Sequence, residues 1–206
     1  MENSNLDPST VAGFGDEWTR FDQSAMSTEE QTALFACYFG IFPWKSLSDH
    51  AEGFDLGCGS GRWAQMVAPR VGKLHLIDAS LDALKVAQKK LNSAPNCEFH
   101  HASVDQIPLA AASMDFGYSL GVLHHIPDTL AGLKACTRLL KPGAPFLLYL
   151  YYRFDNRPIW FRLLWKLSDI LRKGISSLPH SGRYAISQVL ALLLYWPLAR
   201  IAKGLE

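Results

Sequence analysis

Between residues 53 and 152 the chain alternates short apolar runs with segments of helical spacing, and no other feature limits its fold so tightly. Residues 53–56, 73–77 (ending at Asp78), 97–100, 114–120 and 145–152 read as five strands. Residues 62–71, 81–91 and 129–140 read as helices between them. The second of these carries Leu81, Leu84, Ala87 and Leu91 at helical spacing, and the third is stopped by Lys141-Pro142-Gly143. Strands that alternate with helices imply an α/β fold, a parallel sheet with helices on both faces.

The flanks read differently. Residues 1–12 look like a mobile start, and 14–21 are short and aromatic. Ser27 followed by Glu29 and Glu30 marks a capped helix that runs to about Phe39 and stops near Gly40 and Pro43. After Pro158, residues 159–171 are rich in Trp, Leu, Arg and Lys and predict an amphipathic helix. Residues 184–202 predict an apolar helix interrupted by Pro197. No strand is expected after Tyr152, and no repeat is visible.

Composition removes several function classes. Hydrophobic residues make up 49% and charged residues 19%, a globular balance, and the net charge of +1 gives no sign of a nucleic-acid partner. Cys37, Cys58, Cys97 and Cys136 are scattered without metal-ligand spacing, so reduced thiols and a cytoplasmic location are expected. The start lacks an apolar signal core. No stretch is read as the ~20 apolar residues that cross a bilayer.

Asp55-Leu56-Gly57-Cys58-Gly59-Ser60-Gly61 lies between a strand and a helix. Glycines there let the chain turn tightly and let a ligand rest on bare main chain, with the following helix aiming its N–H groups at it. A dinucleotide fingerprint is G-x-G-x-x-G; this one is G-x-G-x-G with an acid two residues ahead. That acid suits a ligand with a positive amino group and no phosphate, such as S-adenosylmethionine (SAM). Asp78, followed by Ala79, ends the second strand, where a carboxylate can accept from both ribose hydroxyls. Its competing role is helix N-cap, which Ser80 or Asp82 could take instead. Ser103-Val104-Asp105 follows the third strand; Asp105 could accept from an adenine amino group while Val104 offers backbone. His124 and His125, past the end of the fourth strand, are candidate general bases. The competing reading is that one packs and the other bonds only to backbone.

Together with Leu123-His124-His125-Ile126-Pro127-Asp128 and Leu139-Leu140-Lys141-Pro142-Gly143, these motifs resemble the class I SAM-dependent methyltransferases of the UbiE-like (type 11) group, over roughly residues 51–150. The resemblance implies a Rossmann-like, doubly wound, mostly parallel sheet of seven strands, with SAM as methyl donor and S-adenosylhomocysteine (SAH) as product. It implies that Gly57 and Gly59 flank the methionine part, with Cys58 and Gly61 in the same loop. Asp55 and the Leu120 carbonyl would meet the amino group. The stretch from Phe14 to Phe21 is similar to a leader that folds over the cofactor in some bacterial members, which makes Phe14 and Trp18 candidate contacts; a plain hydrophobic clamp is the competing role.

Two departures stand out. Some quinone O-methylating relatives carry a Glu, Glu, His metal set, but the matching positions are Gly121, His124 and His125, so no catalytic metal is expected. The family ends in an antiparallel strand pair, which this chain does not reach. Its final Leu205-Glu206 matches a cloning scar, so the chain reads as cut short, with its fifth strand left as an edge unless the C-terminal helices cover it.

The expected organisation is a leader and helix capping the cofactor site (1–50), a SAM-binding core (51–152) and a helical segment (153–206) for acceptor binding or oligomerisation. The acceptor would be a small molecule, a glycan or a lipid-linked compound. Tyr151, Tyr152, Arg153, Trp160 and Trp165 would wall its pocket or simply pack the helices. Peripheral membrane contact and a homodimer are both compatible with the apolar C-terminal helices. The competing functions are a SAM-binding but inactive scaffold and, against the glycine spacing, a nicotinamide-type oxidoreductase.

Overall fold

A computed structural model describes residues 5–21, 26–151 and 154–204. Tyr152, Arg153, Leu205 and Glu206 lie outside the described residues. The chain divides into two compact units, 1–151 and 152–206.

The first unit is built on five parallel strands: β1 Glu52–Leu56, β2 Lys73–Asp78, β3 Cys97–His101, β4 Phe116–Leu120 and β5 Phe146–Tyr149. Their order is β3-β2-β1-β4-β5. The order reverses direction at β1, which places a crevice at the carboxyl ends of β1 and β4. Strand period explains the two layers of core. Leu74, Leu76, Phe116 and Tyr118 face one side, against Phe35, Phe39, Trp63 and Val67. Phe54, Leu56 and Ile77 face the other, against Val104, Leu123, Cys136 and Leu139. Gly53 and Gly117 stand opposite Phe116 and Phe54 across the β1–β4 pair. A Cβ at either glycine would come within 2.3 Å of the facing ring.

The helices of this unit are α1 Pro8–Arg20, α2 Thr28–Phe39, α3 Ala64–Val67, α4 Leu81–Lys90 and α5 Thr129–Leu139. Ser27 and Glu30 form the full capping box at α2. Residues 8–12, expected to be mobile, are helical: the Asp7 side chain accepts from the Ser9 and Thr10 amides, and Pro8 occupies the first turn, where its missing N–H is not needed. The helix expected over 62–71 is only the four residues of α3 plus a 3-10 turn at Ala68–Arg70. Residues 61–63 are spent on turning away from the glycine loop, and Pro69 prevents a longer run. β4 and β5 are shorter than read, with Met114 joined to Leu140 only by an isolated bridge.

The second unit holds α6 Ile159–Ser176, α7 His180–Leu190, a π-turn at Ala191–Tyr195 and α8 Trp196–Lys203. No described residue from 154 to 204 is buried, and no strand forms among them. Contrary to the sequence expectation, residues 181–202 are long and apolar enough to cross a membrane, by length and composition. Pro197 does not break this run because it lies in the first turn of α8, directly after the wider π-turn.

Candidate functional site

The carboxyl ends of β1, β2 and β4 open into one pocket. The glycine loop contributes Leu56 and Gly57, the β2 end Ile77, Asp78, Ala79 and Ser80, and the loop after β3 Ala102 and Val104. The segment after β4 contributes Leu120 to Leu123, His125 and Ile126. The roof is the N-terminal segment: Asn5, Leu6, Asp7, Thr10, Val11, Phe14 and Trp18.

Three glycines of the loop have left-handed backbone, with φ of 73° at Gly57, 53° at Gly59 and 73° at Gly61. Side chains at these positions would be strained and would also collide: with Val122 at Gly57 and with the Trp18 indole at Gly59. The amides of this loop are largely occupied. Gly57 and Cys58 donate to the Ile77 carbonyl at 2.7 and 3.2 Å, and Gly61 donates to the Cys58 carbonyl at 2.9 Å. Gly59 donates to Asp78 Oδ2 at 2.9 Å. α3 is only one turn long and starts at Ala64, three residues past Gly61. The Gly57, Cys58, Gly59 and Gly61 amides are thus bonded within the protein rather than offered to a pyrophosphate.

Asp78 also accepts from Ser80 N–H through Oδ1 at 2.8 Å, while Ser80 Oγ caps α4 by accepting from Ala83. Burial raises the Asp78 carboxyl above its ordinary range, and the Ser80 and Gly59 amides oppose the rise. A carboxylate oxygen has two lone pairs, so each oxygen has capacity for a further donor beyond Gly59 or Ser80. Asp55 does not line the pocket. It is buried one residue behind Leu56, and its Oδ2 has no hydrogen-bond partner among the described residues. Burial pushes this carboxyl up to about 8, the neighbouring Tyr118 hydroxyl restrains the rise, and the Asp78 charge adds to it.

Val104 lines the pocket, whereas Ser103 and the exposed Asp105 do not; Asp105 Oδ2 instead accepts from the Asn5 amide at 3.3 Å. Cys58, Gly59 and Gly61 support the loop from behind the lining. His125 is in the pocket wall and meets the Phe14 ring edge-on at 5.0 Å. His124 stands behind it, 4.1 Å from the rings of both His125 and Tyr151, and neither of its nitrogens has a hydrogen-bond partner among the described residues. Burial lowers both imidazoles below their ordinary value.

Sequence reasoning missed Asn5. Its side chain accepts from the Asp128 amide and donates to the Asp128 carbonyl, both at 2.8 Å, which ties the roof to the α5 N-terminus. No local pattern signals a contact of this sequence separation.

A parallel sheet in this strand order, with its pocket at the switch point, is the Rossmann-like fold of the class I methyltransferases. Within that class, residues 54–148 match the family described as Methyltransferase domain. A ubiquinone biosynthesis O-methyltransferase of Aromatoleum aromaticum is 33% identical, over 68% of this chain and 61% of that protein. One of Paracidovorax citrulli is 29% identical, over 68% and 60%. The chain thus spans about three fifths of these curated relatives. A crystal structure of a candidate methyltransferase from Bacillus halodurans C-125 superposes with a TM-score of 0.51 at 26% identity, covering 56% of this chain and 50% of that one.

Proposed function

We propose that the chain transfers a methyl group from SAM to a hydroxyl of a lipid-soluble small molecule. The observation that carries the cofactor half is the pairing of a pocket acceptor, Asp78, with a glycine loop whose Gly57, Cys58, Gly59 and Gly61 amides are already bonded. Such a pocket suits a ligand that offers hydroxyls and a cationic amino group rather than phosphates. Asp78 would hold the ribose, Leu120 and the Gly57 backbone the methionine end, and Val104 the adenine. Phe14 and Trp18 would cover the ligand and exclude water.

SAM supplies an electrophilic methyl carbon, and the protein need only align an acceptor oxygen with it. His125 is the base we assign, because it reaches the pocket and is neutral at pH 7, with a free lone pair for the hydroxyl proton. His124 orients it through ring packing. The acceptor class is supported by the ubiquinone-pathway names of the relatives and by the exposed apolar helices of the second unit, which suit peripheral contact with a membrane.

The test is label transfer from methyl-labelled SAM to a prenylated catechol in vesicles, with a water-soluble glycan as the competing acceptor. His125→Ala is expected to keep SAH binding and lose roughly 100-fold or more in turnover. Unchanged turnover would remove the base assignment, and labelling of the glycan alone would remove the lipid-soluble acceptor.

A further inference from the structure

A second constellation lies on the sheet away from the pocket. Glu52 opens β1, Lys73 and His75 lie on β2, and Glu98 and His100 lie on β3. The register pairs His75 with Glu98, and strand alternation points all five side chains to one face. Residues 102–115 form no helix between β3 and β4, so this corner of the face stays partly open; the Glu98 side chain is 49% exposed.

We propose that His75, His100 and Glu98 form a binding site for a divalent transition-metal ion, zinc by preference, that clips the edge strand β3 to β2. His75 Nδ1 and His100 Nε2 are 2.9 Å apart. Glu98 presents Oε2 to the first and Oε1 to the second, each at 3.7 Å. An ion between these donors sits about 2.0–2.3 Å from each, the length of zinc bonds to imidazole and carboxylate. Two imidazoles and one carboxylate are a ligand set that zinc accepts, with water in the open position on the exposed side.

Glu52 strengthens the assignment. Its Oε1 lies 2.7 Å from His75 Nε2, on the far side of that ring from Glu98 and His100. A carboxylate there holds the proton on Nε2 and leaves Nδ1 bare toward the other two ligands, the arrangement that orients metal-bound histidines. Without metal, the His100 Nε2–H donates to that lone pair. Lys73 is the occupant to displace: its ammonium lies 2.7 Å from Glu98 Oε2 and 3.6 Å from Glu52 Oε1. With 44% of its side chain exposed, it can swing into solvent.

The experiment is zinc titration of the untagged, chelator-treated chain by calorimetry, with cobalt(II) absorption as a readout of coordination and thermal melting alongside. One equivalent of zinc is expected to bind and raise the melting temperature. His100→Ala and Glu98→Gln, both near the sheet edge, are expected to lose this binding at least tenfold while melting like the parent without metal. Glu52→Gln is expected to weaken it roughly 10- to 100-fold, and Lys73→Met to tighten it. Equal zinc affinity in the parent and His100→Ala, or a parent that binds no zinc, would overturn the site and leave an ion-pair network only. The result is independent of whether the chain binds SAM.

Discussion

Asp55 shows what the burial of a single acid costs. It lies between Phe54 and Leu56 on a fully covered strand, so burial holds its carboxyl near 8. A carboxyl that keeps its proton more tightly when folded contributes stability below its unfolded value of 3.8 and loses it as pH rises toward about 8. Asp55→Asn is therefore expected to melt like the parent near pH 4 and higher than the parent at pH 8.5, by scanning calorimetry. A variant that melts lower at pH 8.5 would contradict the burial account. Gly59 makes the opposite case: with φ of 53° and a Cβ position 2.8 Å from the Trp18 indole, Gly59→Ala must displace α1 or the loop. It is expected to cost about 1–3 kcal/mol in chemical denaturation. The glycine turn and the place of Asp78 at the end of β2 were legible in the sequence because residue types and spacing carry that geometry; the burial of Asp55 behind Leu56, outside the pocket lining, was not. The division between His124 and His125 was not, since adjacent residues point differently according to a turn that spacing does not encode.

At the scale of elements, α1 lies over the pocket as the leader resemblance implied, but its start at Pro8 was not expected. The signals for its start, Asp7 as cap and Pro8 in the first turn, stand in the sequence, but the low hydrophobicity of residues 1–12 hides them. Its docking rests on the Asn5–Asp128 pair and on Gly15, where a Cβ would come within 2.6 Å of Ser80 Oγ. Asn5→Ala is expected to speed amide exchange over residues 8–20 and weaken SAH binding severalfold, with little change in global melting. Unchanged exchange would show that Asn5 does not hold the roof. Strand positions were read to within a residue or two on β1 to β3, where alternation is strong. β4 and β5 were overestimated because apolar residues continue into loops that pack on the sheet without joining its ladder. The helix after the glycine loop was overestimated for a different reason: three residues of turn consume its first part.

At the scale of the whole molecule, the chain joins a well-cored sheet unit to a helical unit with no buried residue among those described. Trp160, Leu163, Leu164 and Trp165 on α6 are exposed, and Arg162 and Lys166 share the helix, so peripheral contact with a lipid surface is proposed for it. Co-sedimentation with vesicles containing anionic phospholipid is expected, and is expected to fall on Trp160→Ala with Trp165→Ala; no sedimentation of the parent chain would contradict the membrane contact. The fold of the first unit was readable because each level agreed, from strand period to glycine loop to helix stop. The membrane-length run at 181–202 was not, because Pro197 reads as a break until the π-turn before it is seen.

The central claim is that the pocket roofed by α1 takes SAM and not a dinucleotide. Calorimetric titration of the chain with SAH, with NADH as the control, tests it most directly. The expected result is one micromolar SAH site that Asp78→Ala abolishes and no heat from NADH. Binding of NADH in place of SAH, or SAH binding that Asp78→Ala leaves intact, would contradict the account.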